Sequence, residues 1–387
     1  AAARTALPEM PPELSPAPGL LDADASRPAA AGDGNVSERA RRLLAEALQA
    51  AQASAFEATP DVVGRFRAVL SAAPSWSVAQ LDLATMLDRQ GAPDEAEKMY
   101  RQVALAAVAD EARQAAAARA ATLALARGDG KAALLAVEGA QHALPGALWP
   151  LELRAEVELS LRDDSAAQRA ARAVLTHAPK SIAALCALAR AQLSSGFAGT
   201  ARLLALRAAE AAPRDARPHL VFAAVARQND EPASELSALK AAAAADPRSA
   251  AAAQLLGEAL HGRGLEDDAL AQLTRATQLA PRDAAPHLGL GALLAALGRP
   301  ARAVDELDLA ARLAPHAAQP HLELARLHLD AEQDPKSALA EAEKFLQLSP
   351  TPPPAGHPVY LLVQRCDQAL KGHGQAPVVQ ETRSEDK

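Results

Sequence analysis

Aromatic residues are scarce in this chain: they make up 2% of its 387 residues, although half of the residues are hydrophobic by a broad count. Clusters of valine, isoleucine, threonine and aromatic residues, which favour β-strands, are missing. Good helix formers, namely alanine, leucine, arginine, glutamate and glutamine, dominate residues 37–371 instead. The composition therefore excludes a β-sheet core and predicts an all-α protein of closely packed helices.

Cysteines, long apolar runs and basic clusters are also rare. Cys186 and Cys366 are far apart in sequence and fit neither a disulfide framework nor a metal-ligand spacing. The longest apolar run, around residues 292–297, is far too short for a bilayer, so we expect no integral membrane span. The formal net charge is −7 and no stripe of Lys and Arg stands apart from acids, which argues against a nucleic-acid partner.

Motifs of catalysis are missing as well. The sequence contains no Ser-His-Asp order, nucleophile elbow, HExxH or phosphate loop. Its acidic runs, at residues 163–164 and 266–268, lie at predicted turns, where acids favour the start of a helix. We therefore expect no enzymatic activity, no cofactor and no metal.

Proline, by contrast, recurs at a fixed interval. Six prolines are 34 residues apart and a seventh follows at 35: Pro145, Pro179, Pro213, Pro247, Pro281, Pro315 and Pro350. Because proline cannot continue a helix interior, each marks the end of one helix and the approach to the next. A glycine lies near the middle of most units, at Gly91, Gly128, Gly196, Gly264 and Gly298. The repeating unit is therefore helix, tight turn, helix and proline corner.

Small and bulky residues repeat with the same period. One column of small residues contains Ala84, Ala121, Ala155, Ala189, Ala223, Gly257, Gly291 and Ala325. A packing column after the turn contains Tyr100, Val137, Ala171, Ala205, Leu239, Leu273 and Leu307. The unit at residues 250–283 is the most regular. Two units depart from the pattern, with Arg154 and Arg162 in one and Asp230 and Glu235 in the other, and we expect these to pack less tightly or to bend the array.

A 34-residue helical hairpin with this order of leucine, small residue, turn glycine, alanine and proline resembles the tetratricopeptide repeat family. The resemblance covers about residues 77–350 as eight units. It implies an all-α, right-handed α-solenoid of eight to nine units that binds other proteins. No property of the sequence specifies an oligomeric state.

The resemblance and the flanking composition together predict five segments. Residues 1–36 are rich in alanine and proline and are predicted to be a disordered tail or tether, and residues 37–76 a diverged hairpin. The tandem units occupy residues 77–352, a capping helix residues 357–371, and a second disordered tail residues 372–387. The first residue, Ala1, fits removal of either an initiator methionine or an export signal, so cytoplasmic and exported locations both stay open.

A Pro-His-Leu motif lies at the start of three of the units, and its histidines are His219, His287 and His321. Proline suits the first turn of a helix, where its missing N–H had no partner. We interpret the histidines as occupants of the large, partly buried position near the helix start. A metal shared by neighbouring histidines is the alternative, but no third ligand column accompanies them.

The family implies that partners lie in a concave groove lined by the first helix of each unit. On those helices, the face opposite the packing columns carries the candidate residues Trp149, Arg190, Arg217, Leu220, Arg227, Gln254, Glu258, His261, Leu288, Gln319, Leu322 and Arg326. Leucines there are expected to meet apolar groups of a protein or peptide, and arginines acidic ones. The alternative is that these are ordinary surface side chains of an alanine-rich protein.

The sequence therefore predicts a protein-interaction scaffold or adaptor. An alternative is a structural or assembly subunit of a bacterial envelope complex, such as a secretion, pilus or polysaccharide-export machine, with the proline-rich start as its tether. Cell fractionation separates the two, because a soluble cytosolic pool disfavours the envelope hypothesis.

Overall fold

The computed structural model describes residues 36–54, 58–106, 110–331, 333–349 and 352–373. The two predicted tails lie outside these ranges except at residues 36, 372 and 373. Within the described ranges all regular secondary structure is helical and there is no strand, as predicted. Its nineteen helices there are α1 (Glu38–Ala53), α2 (Pro60–Ala72), α3 (Ser77–Gln90), α4 (Pro93–Leu105), α5 (Asp110–Ala126), α6 (Gly130–Ala143), α7 (Trp149–Ser160), α8 (Asp164–His177), α9 (Ile182–Ser194), α10 (Ala198–Ala211), α11 (Ala216–Gln228), α12 (Pro232–Ala245), α13 (Ala250–His261), α14 (Glu266–Leu279), α15 (Ala284–Ala296), α16 (Pro300–Leu313), α17 (Gln319–Asp330), α18 (Pro335–Leu348) and α19 (Pro358–His373).

Polar side chains fix several helix starts. The Asp163 carboxylate accepts a hydrogen bond from the Ala166 amide at 2.9 Å and caps α8, which confirms the predicted role of this acidic pair. Ser181 caps α9 in the same way, accepting from the Ala184 amide at 3.1 Å. Because these caps satisfy amides that have no partner inside the helix, they define where each hairpin helix begins.

The tight turn inside each hairpin needs a residue in the left-handed backbone region. The five predicted turn glycines adopt it, with φ between 68° and 90°. Arg162 and Asp230, at the same position in the two irregular units, also adopt it, with φ of 62° and 59°. The hairpin geometry therefore imposes this conformation even where no glycine is present.

The chain divides into two compact units, Ala1–Ala259 and Leu260–Lys387, with the boundary inside α13. In the first unit, consecutive helices pack as hairpins, and the first helices also pack on one another, α5 on α7, α7 on α9 and α9 on α11. We call the layer of first helices the inner layer and the layer of second helices, which includes α8, α10 and α12, the outer layer. In the second unit, α15 packs on α16 and α17, and α19 packs on α17 and α18.

Alanine makes the close packing possible. Ala121, Ala155 and Ala189, from the predicted small column, are completely buried. So are Val137, Ala171 and Leu307 from the packing column. Small side chains let the two helices of a hairpin approach closely, and dispersion contacts over many such atoms then stabilise the stack.

Both irregular units keep their hairpins. In one, Arg154 Nε donates to Glu158 Oε1 at 2.8 Å within α7. In the other, Glu235 accepts from Arg227 Nε at 2.6 Å, so that the acid standing in an alanine position is paired. No helix in the described part of the chain is both long and apolar enough to cross a bilayer.

Candidate functional site

The inner layer of the first unit brings equivalent positions of neighbouring hairpins side by side. Glu156 on α7 and Arg190 on α9 are 34 residues apart, and Arg190 Nη1 donates to Glu156 Oε2 at 2.5 Å. Glu152, one turn before Glu156 on α7, accepts from the hydroxyl of Ser181, the capping residue of α9, at 2.6 Å. Arg190 therefore contacts the equivalent position of the neighbouring hairpin. We call the candidate residues of the first unit the inner strip: Trp149, Arg190, Arg217, Leu220, Arg227, Gln254 and Glu258.

The candidate arginines are already paired with acids of the same chain. Arg190 and Glu156 are only 16% and 17% exposed. Arg227 bonds Glu235, and in the second unit Arg326 Nη1 lies 3.0 Å from Glu323 Oε1. The expected contact of these arginines with an acidic partner therefore has to compete with internal ion pairs.

Arg217 is engaged in the same manner. Its Nη2 donates to Asp215 Oδ2 at 2.6 Å, and its own amide donates to Asp215 Oδ1 at 2.9 Å, so that Asp215 also caps α11. Burial raises the pKa of Asp215, but the hydrogen bonds and positive charge of Arg217 outweigh burial and hold that pKa below its ordinary value. Arg217 therefore stabilises the start of α11.

The expected row of exposed leucines is wrong at two of its three positions. Leu220 is 1% exposed and Leu322 is 3% exposed. Leu322 packs with Val359, Leu362 and the neighbouring apolar residues of α18 and α19, so that the last helix covers it. Leu288, by contrast, is half-buried and remains partly accessible in the second unit.

Gln254 and Glu258 form a polar pair on α13 in the first unit. Gln254 Nε2 donates to Glu258 Oε1 at 2.9 Å. Gln254 is buried, and no described residue donates to its Oε1 atom. Burial raises the pKa of Glu258, although the Gln254 hydrogen bond and the charge of Arg227 act in the opposite direction.

Three further candidates have few polar contacts. Trp149 is half-buried at the start of α7, and no described residue accepts a hydrogen bond from its Nε1 atom. His261, in the second unit, is half-buried, and its Nδ1 atom has no hydrogen-bond partner among the described residues. Gln319 is exposed and donates to Glu323 Oε1 at 3.0 Å. Trp149 packs against the buried core of the first unit and its Nε1 atom is itself buried, so only part of the ring is accessible to a partner.

The repeated histidines bind carboxylates on the second helix of their own hairpin. His287 Nδ1 lies 2.6 Å from Glu306 Oε2, and His321 Nδ1 lies 2.6 Å from Glu341 Oε2. His219 has Ala238 at the position of that acid, and its ring instead meets Phe222 edge-on at 6.1 Å. These partners agree with the structural interpretation of the motif.

Sequence reasoning missed the two histidine partners. A signal was available, because Glu306 and Glu341 follow His287 and His321 by 19 and 20 residues. Within the described ranges, no three His, Cys, Asp or Glu side chains converge as a metal site.

Comparison with solved structures identifies the fold of this chain. Neither a family model nor a curated protein matches the chain. The solved structure of yeast Tom70 is similar over 88% of this chain and 66% of its own, with 16% identity and a TM-score of 0.50. The Cut9–Hcn1 hetero-tetramer of APC/C is 14% identical over 87% of this chain and 77% of its own, with a TM-score of 0.49.

A shorter match is pilF of Pseudomonas aeruginosa, which is 23% identical over 50% of this chain and 86% of its own, with a TM-score of 0.44. At these identities a likeness shows the fold alone. The solved structures are of tetratricopeptide repeat proteins, a non-enzymatic class of scaffolds and adaptors. Together with the helical hairpins and their buried 34-residue columns, the comparison establishes that this chain has the tetratricopeptide repeat fold.

Proposed function

We propose that the chain is a protein-interaction scaffold that holds an extended or helical segment of another protein along the inner strip. The observation that carries the proposal is the contact between Arg190 and Glu156, which places equivalent positions of neighbouring hairpins side by side. A strip that continues across hairpins suits a partner segment lying along it.

Apolar contacts, rather than arginines, supply most of the binding in this proposal. Arg190, Arg217 and Arg227 already bind acids of this chain. Replacing those acids with acids of a partner therefore gains little binding free energy. Trp149 is the large apolar side chain of the inner strip, and it is half-buried against the core, so that part of its ring is left for a partner. Buried tryptophans are frequent centres of protein interfaces.

Capture from native lysate with the full chain, followed by mass spectrometry, identifies the partner. The identified segment is then titrated against wild type and Trp149→Ala, with Phe197→Ala as the matched control because Phe197 is 60% exposed at the start of the outer helix α10. Trp149→Ala is expected to weaken binding by about 2 kcal/mol or more, and Phe197→Ala by much less.

Leu288→Asp tests separately whether the second unit also binds a partner, whereas Leu322→Asp gives no such test, because Leu322 is buried under α19 and an aspartate there would disrupt the fold. Circular dichroism establishes that each variant is folded. If folded Trp149→Ala binds the segment as wild type does, the partner does not lie on the inner strip.

A further inference from the structure

An apolar pair protrudes from the outer layer of the first unit. Leu203 and Leu206 on α10 are 65% and 48% exposed. Three positions apart on a helix, they lie on the same side, away from α9 and α11, on which α10 packs. Two leucines exposed together on one helix form a continuous apolar surface, which differs from the scattered single leucines of an ordinary protein surface.

Four cations lie on α10 and at equivalent positions of the neighbouring hairpins. Arg202 and Arg207 lie next to the leucines on α10, and Arg172 on α8 and Lys240 on α12 occupy the positions 34 residues before and after Leu206. All four side chains are exposed. We call these four cations together with Leu203 and Leu206 the outer patch.

The cations of the outer patch differ from the arginines of the inner strip. No described residue forms an ion pair or a side-chain hydrogen bond with Arg202, Arg207 or Lys240. Arg172 donates only to the neutral Gln168 side chain, at 3.2 Å. The helix α10 itself carries two arginines and one acid, Glu210. A chain with net charge −7 thus presents an unpaired positive surface around two exposed leucines.

The shape of the outer patch decides between two kinds of anionic partner. Its leucines are on the exposed side of α10, and its cations lie on α10 and on the equivalent helices of both neighbouring hairpins. A peptide segment binds best in a groove, and on this protruding surface it would reach the cations on only one side of α10. A broad anionic surface can accept the leucines among its apolar chains while its headgroups meet cations on both sides.

We propose that the outer patch adsorbs to an anionic lipid surface, with Leu203 and Leu206 inserted at the interface and the four cations against the headgroups. The outer patch shares no residue with the inner strip, so this proposal does not depend on the scaffold function. Adsorption of this kind requires no membrane-spanning helix.

Cosedimentation with vesicles tests the proposal. The full chain is mixed with phosphatidylcholine vesicles containing about 30 mol% phosphatidylglycerol, and with pure phosphatidylcholine vesicles as the uncharged comparison. Wild type is expected to bind the anionic vesicles only, and to be released at about 0.5 M NaCl, where the screening length falls to roughly 4 Å.

Two pairs of variants separate the contributions. Arg202→Glu with Arg207→Glu is expected to weaken partitioning at least about thirtyfold. Its control, Arg302→Glu with Arg312→Glu, changes the charge equally on exposed positions of α16 in the second unit and is expected to change partitioning less than about threefold. Leu203→Ser with Leu206→Ser is expected to weaken it about tenfold or more. Leu265→Ser with Leu279→Ser, both exposed in the second unit, is the matched control.

All four variants change exposed residues, and circular dichroism verifies their folding. If wild type fails to bind the anionic vesicles at low salt, the proposal is wrong, and an acidic protein becomes the alternative partner of the outer patch. Equal loss of binding in the α10 and α16 charge variants also overturns it, because the effect would then be one of net charge rather than of the patch.

Discussion

Gly291 is the position where the hairpin packing can be tested with a single methyl group. It is buried in α15, and an ideal Cβ atom there would lie 2.7 Å from Leu307 Cγ and 2.8 Å from Leu307 Cδ2. The same Cβ would lie 3.3 Å from the backbone oxygen of Ala303. Leu307 is completely buried in α16, so its side chain cannot simply move into solvent to relieve these contacts.

Two opposing terms decide the effect of Gly291→Ala. Alanine in a helix interior is favoured over glycine by roughly 1 kcal/mol. Overpacking a close helix contact costs about 1 to 3 kcal/mol. Because the carbon–carbon separations are far below van der Waals contact, we expect the second term to win, with a net loss of roughly 1 kcal/mol or more in the free energy of unfolding. Gly64→Ala is the control, since Gly64 is in α2 with no other atom within 4 Å of its Cβ position, and this change is expected to stabilise.

Urea unfolding followed by circular dichroism measures these differences. Leu307→Ala removes both clashing atoms and alone is expected to cost about 2 to 5 kcal/mol. In that background the Gly291→Ala change loses its clash with the leucine and is expected to be neutral or favourable. If Gly291→Ala costs the same in both backgrounds, the close approach of α15 and α16 at Leu307 is not the reason for glycine at this position.

Two further sets of variants test the turns and the buried acids by the same unfolding assay. Arg162→Gly is expected to stabilise by about 1 kcal/mol, because it removes a left-handed backbone from a bulky residue. Asp230→Gly should gain less, because aspartate tolerates that conformation better, and an equal or larger gain would contradict this. Burial raises the pKa of Glu258 in the folded state, so wild-type stability falls as the pH rises from the unfolded-state pKa of this glutamate to its folded-state pKa. Glu258→Gln avoids this loss and should be more stable than wild type at neutral pH. Burial raises the pKa of Glu341, but hydrogen bonds from Lys344 and His321 outweigh burial and lower it. The ionised glutamate therefore stabilises the fold, and Glu341→Gln should be less stable than wild type at neutral pH. Both differences should vanish in acid, and a pH-independent difference would contradict the assignment.

The hairpin architecture was predictable because it depends on repeated steric requirements. Prolines and turn glycines fix where helices end, and a small residue is needed wherever two helices of a hairpin meet closely. The burial of Ala155 and Leu307 follows from their columns alone. The left-handed backbone of Arg162 was not predicted, since that residue type disfavours the conformation and only the surrounding hairpin enforces it.

The accessibility of the candidate site was less predictable. Helical periodicity gives the angle at which a side chain leaves its helix, but not which later element packs over it. Leu322 shows this limit, since the residues that cover it come from α18 and α19. The pairing of Glu156 with Arg190 could have been inferred from opposite charges at equivalent positions of adjacent units.

Internal pairing also determines which residues can report on partner binding. Removing Arg190 would leave Glu156, which is 17% exposed, without its cation, so the fold itself would lose an interaction. A weaker partner complex of that variant could then reflect a disturbed strip rather than a lost contact. Trp149 has no hydrogen-bond partner among the described residues to leave behind, but it packs against the core, so the stability of its alanine variant has to be measured beside its binding. Because Arg190 joins α9 to α7, a folded Trp149 variant tests the proposed recognition more directly than an Arg190 variant does.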